Sequence, residues 1–177
     1  MKKTNANDLH LVFNGLYTAD SYKKNYIIAR SILCDAENFK ANDEMDLEKC
    51  ILIYSMYTSV HDIYRRRTLH TFEYKEINFD SAEFIRSAFP RKKKWNSGNM
   101  KLAKYALSYK KFYPMVPDAD NFGLFEHISE TDIEKCKWIA AIHELLEETY
   151  EKYAKPILMT SELWEDRKNF FCYYPWC

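Results

Sequence analysis

The run "IYRRRTLHTF", residues 63–72, sets three consecutive arginines just ahead of a histidine and brackets them with aromatic residues. A histidine near its ordinary pKa moves protons at neutral pH, and an arginine fork fits phosphate oxygens. Arg65 and His70 are therefore the residues whose types best suit chemistry on a phosphate group. His61 stands four residues before Arg65, on the stripe of Leu47, Tyr54 and Tyr57. A histidine on such a stripe is ordinarily a hydrogen-bonded core residue, with a tyrosine hydroxyl as its natural partner. It is also a third member for a site with Arg65 and His70. The plain structural alternative is that Arg65, Arg66 and Arg67 close a helix C-terminus, where cations favour the dipole.

Arg65, four intervening residues, His70 and then Phe72 resemble the R-x4-H-x-Y signature of HEPN domains, small helical bundles many of which are metal-independent ribonucleases. The resemblance covers about eight residues of the chain. It implies His70 as general acid or base at the ribose 2′-OH or the leaving oxygen. It implies Arg65 as the charge that stabilises the phosphorane, at a site usually shared between two protomers. Two positions depart from the pattern: Arg66 stands where a small polar residue is usual, and Phe72 lacks the tyrosine hydroxyl. On a regular helix five residues turn through about 140°, which would put Arg65 and His70 on different faces.

A second cationic set follows. Arg91, Lys92, Lys93 and Lys94 run into Trp95, and Lys101 and Lys104 continue the charge along an amphipathic stretch. With Arg66 and Arg67, these residues would neutralise phosphates while Trp95 stacks on a base. A solvated basic face is the ordinary alternative. Net charge is zero, yet residues 61–112 hold 13 Lys and Arg against 5 Asp and Glu, hence +8, and residues 113–177 hold 6 against 13, hence −7. A basic middle and an acidic final third can neutralise each other or serve a partner.

The remaining chemical leads are weaker. His143 and Glu147 have a metal-ligand spacing, but no ExxH pair supplies further ligands, so a helical charge pair is the expectation and no metal or cofactor is implied. Glu144, Glu147, Glu148 and Glu151 read as a wet face. Five cysteines without a CxxC read as free thiols. The aromatic tail "NFFCYYPWC" either folds back on the core or docks on another chain, which admits a homodimer. The opening "MKKTNANDLH" lacks an apolar run, and no stretch is long enough to span a membrane; the expectation is a cytoplasmic chain.

Behind these residues stand the elements that must position them. At 177 residues one domain can bury roughly 70% of its unfolded surface. Aromatics make up 16% of the chain, so the core should be built largely from rings. Three glycines argue against a turn-rich β-sandwich. The spacing predicts a single all-α domain, a helical bundle of six or seven helices around two long ones, with a weak internal boundary near 114–123. Residues 46–64 are expected to form the central helix. "HTFEYKEINF" alternates, so it reads as loop or as one arm of a small β-hairpin near 68–79. Ser21, Asp80 and Thr131 with Glu134 are the expected caps, and Pro156 the expected end of the second long helix.

Two function classes follow. The first is a non-enzymatic binding protein using its basic middle and aromatic surface on a protein or nucleic-acid partner, since no complete set of nucleophile, base and orienting group appears. The second is a HEPN-like ribonuclease.

Overall fold

The computed structural model describes residues 19–89 and 127–161. These residues are helical with connecting turns, and no strand occurs among them. Helix α1 (Ala19–Ala36) starts two residues before the expected cap Ser21 and buries Tyr22, Tyr26, Ala29 and Leu33 on the expected face. Helix α2 (Glu44–Ile63) is capped by Asp43, whose carboxylate accepts from the backbone N–H groups of Met45 and Asp46. It flows into a π-helical turn (Tyr64–Thr68) and then α3 (Leu69–Tyr74) without a break. Residues 69–74 are thus helical, and the hairpin arm considered near 68–79 is absent.

The alternation that suggests a strand there has another cause. After α3 the backbone N–H of Ile77 reaches the carbonyl of Phe72 at 2.8 Å and that of Glu76 reaches Glu73 at 3.2 Å. Glu76 has φ of 54°. This is a Schellman closure, with Glu76 in the left-handed position that glycine usually fills. Phe79 then folds over Phe72 at 5.2 Å between ring centroids and over Phe84 at 5.6 Å. Phe79 precedes the cap Asp80 and Phe84 lies in the first turns of α4 (Ser81–Ala88), the arrangement of a hydrophobic staple. Phe72, Ile77 and Phe79 are apolar because they pin a helix end and a helix start.

The second long helix, α5 (Glu130–Thr149), is capped by Ser129, which accepts from Asp132 N–H. The expected Thr131–Glu134 box lies inside the first turn instead. The chain also passes through Pro156: a second π turn (Tyr150–Ala154) leads directly into α6 (Lys155–Met159). A proline ring normally clashes with the carbonyl four residues back, and the wider π turn relieves that clash just before Pro156.

Helix α5, not α2, occupies the centre, for α1, α2 and α4 all pack on it. It buries Ile133, Cys136, Trp138, Ile139, Ile142, Leu145 and Leu146, so it is apolar on most sides. Trp138 lies among Tyr26, Phe84 and Phe89, with centroids 4.7 to 6.2 Å apart. Two polar ties fasten α1 to its neighbours. Lys49 of α2 reaches Asp35 at 3.5 Å, and Lys23 donates to the carbonyl of Ala88 at 3.1 Å, closing the end of α4. No helix among the described residues is long and apolar enough to cross a membrane.

Candidate functional site

Helices α2 and α5 run antiparallel, with Tyr54 against Tyr150 at one level and Tyr64 against His143 at another. Between these levels the seam is filled with rings. Tyr57 stacks on Tyr150 at 5.1 Å and 17°, and Tyr64 stacks on His143 at 4.1 Å and 11°. At the centre, His61 Nδ1 and His143 Nε2 lie 2.8 Å apart. One of the two nitrogens donates and the other accepts, so a single proton occupies this bond. His61 is a hydrogen-bonded histidine as its position suggests, but its partner is His143 and not a tyrosine hydroxyl.

The electrostatics of the seam follow from burial. His143 is only 6% exposed, and desolvation, followed by the neighbouring His61, holds its pKa down to about 4. It is neutral at pH 7, which replaces the expected charge pair with Glu147. Burial also pushes the phenols of Tyr57, Tyr64 and Tyr150 upward, and the carboxylates of Glu147, Glu144 and Glu151 add to the shift.

Next along α2 comes the basic turn. Arg65 and Arg66 are exposed, and the His70 side chain is 60% exposed. The helix does not end at the arginines, so they do not close a C-terminus. Arg66 pairs instead with Asp62, Nη2 to Oδ2 at 2.8 Å, and His70 Nδ1 lies 3.9 Å from Glu73 Oε2. Arg67 is half-buried and belongs to the inner side of the turn.

The π turn alters the angular relation of these residues. Leu69 N–H bonds to the Tyr64 carbonyl, five residues back. A turn closed at i−5 contains one more residue than an α turn, so side chains five apart come back towards the same face. Arg65 and His70 are five apart across this turn. The 140° separation of a regular helix therefore does not apply across this turn. Nothing in the composition signals a π turn, which is why residue spacing alone places the pair on different faces.

Beneath the turn, the buried Thr68 and Thr71 face Cys136 of α5. Burial pushes the Cys136 thiol up to about 11 against the lowering effect of the Thr71 and Thr68 hydroxyls, and Cys50 is pushed up to about 12. Both thiols stay protonated and inert at neutral pH. Cys34, Cys50 and Cys136 are free. No group of three or more metal-ligating side chains occurs among the described residues.

Arg91, Lys92, Lys93, Lys94, Trp95, Lys101 and Lys104 lie outside the described residues, as does the tail "NFFCYYPWC". Sequence reasoning picked out His61, Arg65 and His70 but missed the joining of His61 to His143. The available signal was two histidines, each on the apolar stripe of a long helix. No family model, curated protein or solved structure matches the chain.

Proposed function

We propose that the chain is a non-enzymatic binding protein that holds a nucleic-acid partner through the basic middle of the sequence. The observation that carries this reading is the exposure of Arg65, which has no acidic partner among the described residues, on a helix that continues to either side. The Arg65 guanidinium is therefore available to a phosphate, whose oxygens match the fork of its donors. Arg91 to Lys94 and Trp95 would extend the contact and supply a stacking ring. A protein partner with an acidic surface is the alternative occupant of the same cations.

The test is retention of a labelled single-stranded RNA as salt rises. Neutralising six to ten phosphates makes affinity fall by roughly 10³-fold or more between 50 and 200 mM salt. Arg65→Gln, and Lys92, Lys93 and Lys94 together changed to Gln, should each flatten that slope. No retention at low salt would leave protein partners alone.

The π turn favours a second reading, a HEPN-like ribonuclease. Under it His61, four residues before Arg65, and His70, five residues after it, would supply the proton-transfer groups beside a phosphate-binding cation. That reading requires RNA cleavage in the presence of a chelator, lost in His70→Ala and in Arg65→Ala. Retention without cleavage leaves the binding protein; cleavage that survives His70→Ala removes this version of the enzyme.

A further inference from the structure

We propose that the outer seam between α2 and α5 docks a cationic polypeptide segment, an arginine- or lysine-bearing stretch of a protein partner, against Tyr57, Tyr64 and Tyr150. This surface is separate from the cations used above for nucleic acid. All three tyrosines are half-buried, so each keeps part of its surface in contact with solvent. Among the described residues their hydroxyls have no hydrogen-bond partner. Tyrosines that combine a fixed ring with a free hydroxyl are the residues from which protein interfaces draw most of their affinity. Stacking on Tyr150 and His143 holds the rings in place before any partner arrives.

Charge selects the occupant. Glu144 and Glu147 are exposed on the α5 side of the seam and make no ion pair among the described residues, whereas Glu151 is held by Lys155 at 3.0 Å. Glu147 is close enough to act electrostatically on both Tyr57 and Tyr64. Aromatic rings beside free carboxylates attract a guanidinium or ammonium by cation–π contact and by hydrogen bonding. A phosphate would be repelled, and a wholly apolar segment would leave the carboxylates unused. The arginines of the π turn stand at the far end of the seam, so the segment should lie towards Tyr57 and Tyr150.

Fluorescence anisotropy of labelled nona-arginine with the full chain tests the proposal, with nona-glutamate as control. Nona-arginine should bind at low salt and nona-glutamate should not. Glu147→Lys and Tyr57→Leu should each weaken binding about tenfold. Glu134→Lys, an equal charge change more than two turns away, should weaken it by less than about twofold. Retention of RNA should be unchanged in Tyr57→Leu, which separates this surface from the nucleic-acid reading. If Tyr57→Leu lowers the thermal midpoint, Glu147→Lys, at an exposed position, decides the matter. No binding of nona-arginine, or equal losses in Glu147→Lys and Glu134→Lys, overturns the proposal. Binding that emerges only after Lys92, Lys93 and Lys94 are changed to Ser would assign the seam to this chain's own basic run and overturn an external partner.

Discussion

The burial of His143 against His61 makes folding stability depend on pH. In the unfolded chain His143 titrates near 6.5, and in the folded chain near 4. The folded state therefore binds fewer protons between these values, so stability falls as pH drops through that window and is fully present above it. The integrated loss at the acidic end is about 3 kcal/mol. Thermal unfolding at pH 7.5 and at pH 4.5 should show this as a lower midpoint in acid, and His143→Gln should reduce the difference. A midpoint that does not move between the two pH values would contradict the burial of a neutral imidazole at this seam. Two-dimensional NMR of the His143 imidazole gives the same information directly.

At the level of elements, the turn from α3 to α4 holds a correctable strain. Glu76 occupies a left-handed backbone position at φ 54°, where a side chain costs roughly 1 kcal/mol relative to glycine. Glu76→Gly should raise stability by about that amount, read as a higher denaturation midpoint at unchanged slope. Asp80→Ala should do the opposite by about 1 kcal/mol, since the Asp80 carboxylate satisfies the Glu83 N–H at 3.2 Å. These turns also show what residue spacing can and cannot convey. The two long helices, the buried stripes of α1 and α5, and the Asp80 cap are all readable, because periodicity and capping chemistry are local. The passage of the chain through Thr68 and through Pro156 is not, for each depends on a backbone bond that skips one residue further than usual. The alternating rings of 72–79 mislead for a related reason. They face a shared core after a reversal of direction, and a one-dimensional pattern does not record the reversal. The same holds for the site, where His61 was legible as a hydrogen-bonded histidine and its partner 82 positions away was not.

In the molecule as a whole, α5 is the member on which the others depend. Ile139, at 1% exposure and in the middle of α5, should cost about 3 kcal/mol on truncation to Ala, measured by chemical denaturation. Exposed Glu144→Ala on the same helix should change stability by less than about 0.5 kcal/mol. The ion pairs among the described residues are mostly between near neighbours, Arg66 with Asp62, Lys135 with Asp132 and Lys155 with Glu151. Those pairs leave the glutamates of α5 free to act outward. The two π turns lie on opposite partners, the first against α5 and the second against α2. Each absorbs an additional residue without disturbing the phase of the helix on either side. Loss of one residue within Tyr64–Thr68 or Tyr150–Ala154 would thus relax the turn to an ordinary helix and leave the buried faces where they are. The same deletion elsewhere in α2 or α5 would swing every later side chain by about 100°. Related chains should accordingly tolerate a gap of one residue at these two places.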